Sequence, residues 1–189
     1  LARQIVNGAR VDIFISADEA QLNGVAAAGL LQDGTRITLL RNQLAVVVPG
    51  DRPRTFKSIA EIAAPAFKRI ALGDPAAVPA GVYAKQYLEK EGLWGAIESR
   101  IVPTTSVRAA LTAVTSGAAD AAIVYRTDAR MALGATVAWV VPADRGPRIA
   151  YPAALVRGAV APEAQRFLDF LRTEPASRLF ERFGFQVAR

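Results

Sequence analysis

Neither cysteine nor histidine occurs anywhere in the 189 residues of this chain. The first absence excludes disulfides, thiolate metal sites and cysteine nucleophiles, and it fits an exported protein. The second excludes a Ser-His-Asp triad, an imidazole-bound zinc and a histidine general base. No uninterrupted apolar run of 18 residues is found, so nothing reads as a transmembrane helix. There is no starting Met and no signal peptide, and Leu1-Ala-Arg-Gln-Ile5 reads as mid-helix, so a mature or trimmed chain is expected. A G-x-S-x-G elbow and a carboxylate cluster with metal-ligand spacing are also lacking, which counts against a hydrolase and against catalysis in general.

What is present is apolar bulk, 52% of the residues, enough for one large domain or two small ones. Lys and Arg number 23 against 17 Asp and Glu, a net charge of +6. These cations are scattered and never exceed two in a row, which reads as a solvated basic surface rather than a nucleic-acid site.

Strand and helix signals alternate along the chain. Short apolar strands are expected at 11–15, 39–40, 44–48, 70–72, 100–102, 121–125, 137–141 and 149–156. Pro49 and Gly50 stop the third of these, Pro103 is expected to break the fifth, and Pro142 ends the seventh. Between them, Ser16 or Asp18 caps a weak helix at 19–28 closed by Gly29, and Ser58 with Glu61 forms a capping box. A helix at 83–91 stops at Gly92. Ser106 caps an amphipathic helix with Val107, Leu111 and Val114 on one face. Thr127-Asp128 starts another short helix, and two more follow at 162–171 and 175–183, the last stopped by Gly184. Repeated βα units predict an α/β fold with a largely parallel sheet covered by helices on both faces.

One stretch is more specific than the rest: Gly73-Asp-Pro-Ala-Ala-Val-Pro-Ala-Gly-Val-Tyr83, between an apolar strand and a helical pattern. A strand that feeds a helix through such a turn leaves the helix's first N–H groups unpaired, and these together with the helix dipole suit an anion. The loop carries no Lys, no Arg and no metal ligand, so whatever it holds is held by neutral donors.

This stretch, with Asp12-Ile-Phe-Ile-Ser-Ala-Asp18, Ser106-Val-Arg108, Ile123-Val-Tyr125 and Phe180-Glu-Arg-Phe-Gly-Phe185, resembles the periplasmic molybdate-binding proteins of molybdate ABC transporters, the ModA family. The resemblance runs in order over nearly the whole chain. It implies a two-lobed, type II periplasmic-binding-protein-like fold with parallel-rich sheets flanked by helices. Lobe I would comprise residues 1–42 plus 149–189 and lobe II residues 43–148, with hinge segments near 41–45 and 142–150. It implies a non-enzymatic solute-binding protein that closes on molybdate or tungstate and passes it to a membrane permease, without any cofactor. The metal would be bound only as its oxyanion, with no direct metal ligands. Carried over residue by residue, the contacts fall on the backbone N–H groups of Ala80 and Val107 and on the Tyr125 hydroxyl, with Pro79, Gly81, Ser106 and Arg108 beside them.

The physical chemistry agrees with a donor-only site. Molybdate has no proton to give at neutral pH, whereas a protonated oxyanion would present an O–H to a donor. Each neutral hydrogen bond contributes about 0.5–1.5 kcal/mol net, more against a full charge. Several of them plus two helix dipoles reach micromolar affinity, about 8 kcal/mol.

The chain also departs from the family pattern. The family carries two serine-bearing loops ahead of the point where this sequence opens, about one β–α–β unit. The expectations drawn from this are an incomplete first lobe, impaired oxyanion binding, and an unpaired edge on the 11–15 strand. A monomer is expected, with a strand-swapped oligomer as the alternative.

Other readings stand beside these. Alone, Tyr125 is a half-buried strand aromatic, Val107 a core residue, Arg108 half of a surface ion pair and Asp74 a turn acid. Trp94 and Trp139 read as packing residues. The effector domain of a LysR-like transcription regulator is the alternative function, and a phosphatase-like hydrolase the third.

Overall fold

Leu44-Ala-Val-Val-Val-Pro49 is apolar at every position, so a strand made from it needs cover on both faces. In the computed structural model, which describes residues 1–158 and 161–188, all of it is buried. The chain divides into two compact units, Leu1–Asn42 with Ile149–Arg189, and Gln43–Arg148.

In chain order the first unit begins with α1 (Ala2–Val6), β1 (Ile13–Ile15), α2 (Glu19–Ala27) and β2 (Ile37–Asn42). Asp18, not Ser16, caps α2, its carboxylate accepting from the Gln21 N–H at 2.7 Å. The second unit holds β3 (Leu44–Pro49), β4 (Ile70–Gly73), α3 (Pro79–Lys90), α4 (Trp94–Ile97), β5 (Ile101–Thr104), α5 (Val107–Thr115), β6 (Ala121–Tyr125), α6 (Arg126–Met131) and β7 (Ala135–Val140). A 3₁₀ turn at Ile59–Ala63 is opened by the Ser58–Glu61 capping box. The chain then returns to the first unit with β8 (Ile149–Leu155), α7 (Pro162–Phe170), α8 (Glu174–Arg182) and β9 (Gln186–Val187).

The α/β class holds, but the strand directions are mixed where parallel strands were expected. In the second unit the order is β5-β4-β6-β3-β7, with β4 parallel to β5 and β6, and β3 antiparallel to β6 and β7. Parallel pairs arise where helices carry the chain back across the sheet, from β4 through α3 to β5 and from β5 through α5 to β6. In the first unit the order is β1-β8-β2-β9 and every pairing is antiparallel. The physical reason is that β2 leads out of that unit and β8 leads back in, so neighbours formed from them run in opposite directions. β1 lies at the sheet's edge and pairs with β8 alone among the described strands.

Element boundaries also differ from expectation. α3 begins at Pro79 rather than at 83, because Pro at the first helical position gives up an N–H that has no intrahelical partner. Pro103 sits inside β5 instead of breaking it; β5 is an edge strand, which tolerates a missing donor. β9 and α4 are too short to show a periodicity, and neither was read from the sequence.

Small residues set the second unit's core. Ala45, Ala71, Ala110 and Ala122 let α5 lie close to the sheet beside Val47, Val114 and Val124. In the first unit Phe14, Leu22, Val25 and Ala154 form one cluster, and Leu39, Leu40, Leu168 and Leu171 another. The Phe180–Phe185 motif belongs to the latter: Gly184, at φ +92°, turns the chain so that the Phe185 ring meets Tyr151 edge-on at 5.3 Å and Phe180 at 6.4 Å.

Candidate functional site

The loop after β4 is built by its own backbone. Asp74 donates its N–H to the Thr104 carbonyl at 2.8 Å, while its carboxylate accepts from the Ala76 N–H at 2.8 Å. Its carbonyl accepts from Ala77 and Val78, at 3.1 and 2.8 Å. Asp74 is thus a turn acid. The Val78 carbonyl then receives the Gly81 and Val82 N–H groups at 2.9 and 3.0 Å, which starts α3. Pro79 has no N–H, and the Ala80 N–H has no hydrogen-bond acceptor among the described residues. That donor is buried, with Ala80 only 1% exposed.

Gly81 is where the loop could not tolerate a side chain. A Cβ there would lie 1.8 Å from the Gly73 carbonyl oxygen, and one on Gly73 would meet the Val78 side chain at 2.5 Å. The two glycines let the start of α3 press directly against the end of β4.

The loop after β5 repeats the pattern with a side-chain cap. The Ser106 hydroxyl accepts from the Ala109 N–H and its carbonyl from the Ala110 N–H, both at 3.1 Å. The Thr104 hydroxyl lies 3.1 Å from the Leu72 carbonyl oxygen and 2.9 Å from that of Ser106, so it joins this loop to β4. Val107, half-buried, is the first residue of α5, and its N–H also lacks an acceptor among the described residues. Tyr125 is the last residue of β6, half-buried, and leads straight into α6.

The sheet register brings these three residues to one edge. Leu72 stands opposite both Pro103 and Ile123, and Gly73 opposite Thr104. The carboxyl ends of β5, β4 and β6 therefore lie side by side, and Ala80, Val107 and Tyr125 follow from them. This is the edge at which parallel strands carry ligands. Pro79 and Ser106 are exposed just ahead of the two open N–H groups, Gly81 is buried behind the first, and Arg108 is exposed in the first turn of α5.

Arg108 is not isolated there. Burial raises the Asp128 carboxyl above its ordinary range, and the Arg108 guanidinium acts against that rise. The first turns of α5 and α6 thus hold opposite charges that sense each other beside the edge. Sequence reasoning passed over this partner of Arg108, and over Thr104, because both couplings join residues on different elements. Trp94 packs beneath a cation, the Lys85 ammonium lying 5.1 Å from its ring centroid. Among the described residues no group of three or more Asp, Glu, His or Cys side chains could hold a metal ion, and no helix is long and apolar enough to cross a membrane.

Comparison with known proteins follows the whole chain. The family model described as bacterial extracellular solute-binding protein matches residues 1–186. The molybdate-binding protein ModA of Escherichia coli (strain K12) is 36% identical over 99% of this chain and 74% of its own length. A putative ABC transporter substrate-binding lipoprotein, YvgL of Bacillus subtilis (strain 168), is 35% identical over 98% of this chain and 71% of its own. Among solved structures, the substrate-binding domain of a putative molybdenum ABC transporter from Clostridium difficile superposes with a TM-score of 0.91 at 28% identity, covering 100% of this chain and 82% of that one. The periplasmic molybdate-binding protein of Azotobacter vinelandii gives 0.75 at 26% identity, covering 100% and 83%. The LysR-like regulator reading gains no support from these relatives.

Proposed function

This chain belongs to the bacterial extracellular solute-binding protein family, and from that premise we propose that it binds a tetrahedral oxyanion, molybdate or tungstate, and delivers it to the permease of an ABC transporter. The observation that carries the reading is the pair of open backbone donors, Ala80 and Val107, at the starts of α3 and α5 on the edge where β6 ends in Tyr125. Two N–H groups and a phenol meet a dianion with donors alone. The two helix N-termini add positive potential without a mobile cation. Asp74, the nearest acid in the loop, has its carboxylate engaged by the Ala76 N–H. Pro79 and Gly81 shape the first donor, Ser106 fixes the second by capping α5, and Arg108 contributes a longer-range charge balanced by Asp128.

The protein acts in the periplasm, as a monomer, without a cofactor and without catalysis. Molybdenum enters only as its oxyanion. The chain passes between the units at 42–43 and 148–149, and these crossings serve as the hinge whose bending separates empty from loaded protein. The units correspond to the two lobes of such a binding protein, with the oxyanion contacts named here all on the second.

Thermal melting in the presence of molybdate, tungstate, sulfate and phosphate tests the reading. A ligand that binds only the folded state stabilises it by about 2.7 kcal/mol at a concentration one hundred times its dissociation constant. Molybdate and tungstate should therefore raise the melting temperature in proportion to the logarithm of their concentration, and sulfate and phosphate should do less. Tyr125→Phe should cut the molybdate shift while leaving the melting of the ligand-free protein within a few degrees. No shift with either large oxyanion at millimolar concentration overturns the function, and an undiminished shift in Tyr125→Phe overturns the site.

A further inference from the structure

The boundary between the units falls between two consecutive side chains that are each anchored. On one side Asn42 Nδ2 donates to the Tyr151 hydroxyl at 3.0 Å, within the first unit. On the other, Gln43 is held within the second unit through both its backbone and its side chain. Its carbonyl accepts the Arg126 N–H at 2.8 Å. Its side-chain Oε1 accepts from the Arg126 guanidinium at 2.7 Å, and its Nε2 donates to the Val141 carbonyl at 2.8 Å. The orientation of the amide follows from its partners, since a guanidinium only donates and a carbonyl only accepts. Leu44, the next residue, pairs with Tyr125 in the sheet and receives the Val141 N–H at 2.9 Å.

We propose that Gln43 is a positioning residue for oxyanion binding, its amide tying the Tyr125 end of β6 to both segments by which the chain leaves the second unit. Gln43 itself stands on the first crossing. Val141 is the residue after β7, at the head of the 141–148 segment that leads to the second crossing. Arg126 follows Tyr125 without an intervening residue. A shift of the phenol on meeting an anion therefore reaches both crossings through one side chain. The second crossing is held again further along: Arg145 pairs with Glu91 at 2.8 Å and its carbonyl accepts from Lys90 at 3.0 Å. Glu91 and Lys90 stand at the far end of α3, the helix whose first turn presents Ala80. Both crossings are thus joined to elements that carry the proposed contacts. The inference rests on the oxyanion reading, and it adds a residue that touches no ligand.

A chain without cysteine permits clean labelling, so Arg166→Cys in the first unit and Ser99→Cys in the second can carry a donor and acceptor dye. The doubly labelled protein, otherwise intact, is titrated with molybdate, and release is followed by dilution. Gln43→Leu and Arg126→Met are expected to retain the ligand-free melting temperature within a few degrees. They should release molybdate about tenfold faster, equivalent to about 1.4 kcal/mol, with a smaller energy-transfer change at saturation. Gln43→Glu keeps the acceptor for Arg126 but cannot donate to Val141, and should fall between Gln43→Leu and the parent. If the parent responds and all three variants match it in release rate and amplitude, the inference is overturned and the function stands. A lower melting temperature with unchanged release and amplitude assigns Gln43 a purely structural role and also overturns it. A parent that gives no response to molybdate at all overturns the function and this inference together.

Discussion

A methyl group on Gly81 would occupy the space of the Gly73 carbonyl oxygen, so Gly81→Ala must push α3 away from β4. Overpacking of this kind costs about 1–3 kcal/mol. Urea unfolding should show that loss, and the displaced Ala80 N–H should weaken molybdate binding beyond what the stability change accounts for. Asp128 yields a prediction of opposite sign. Burial raises its carboxyl in the folded state, so between its ordinary value of 3.8 and its folded value the native protein holds a proton that the unfolded chain has lost. Stability contributed by this group therefore falls as pH rises through that window, and at neutral pH the buried charge is a net cost. Asp128→Asn should melt higher than the parent at pH 7 and match it at about pH 3, below both values; melting curves at the two pH values check this. Turn acids and caps such as Asp74, Ser58 and Ser106 were legible from local order alone, since each bonds within a few residues of itself. The Arg108–Asp128 and Gln43–Arg126 couplings were not, since their partners meet only when α5 and α6, or β3 and β6, come together.

Among the elements, α5 shows how a local signal holds a candidate contact. Its cap, Ser106, precedes Val107 directly, so loss of the hydroxyl frays the turn that presents the Val107 N–H. Ser106→Ala should cost about 1 kcal/mol of stability in chemical denaturation, and weaken molybdate binding in calorimetry, whereas Ser106→Asp should restore the cap while placing a charge that repels the anion. The apolar runs located β3, β4, β6 and β8 correctly because burial on both faces leaves little else for them to be. Their directions were another matter. The expectation of a parallel sheet follows from counting βα units, and it holds only where a helix returns the chain, as through α3 and α5. β3 brings the chain into the second unit and runs against both of its neighbours, β6 and β7, and β7 leads the chain out again. Pro103 misled in the same way: a proline interrupts a strand flanked on both sides, but among the described strands β5 has only β4 beside it.

At the scale of the molecule, the match to the solute-binding family extends over residues 1–186, and the resemblance seen in the 73–83 loop belongs to that same relationship. The loop carried information because its composition is physically constrained: two glycines where the backbone closes in, a proline at the start of α3, and no charge that would compete for or against an anion apart from one engaged turn acid. Those features act within about ten residues, so residue order alone was enough to place caps and stops, while Ala80 and Val107 were singled out only through the family resemblance. What folding added was adjacency. That β5, β4 and β6 end side by side, that β2 and β8 oppose each other, and that one glutamine at the first crossing bonds the segment leading to the second are consequences of contacts between segments far apart in the chain, and no local pattern encodes them.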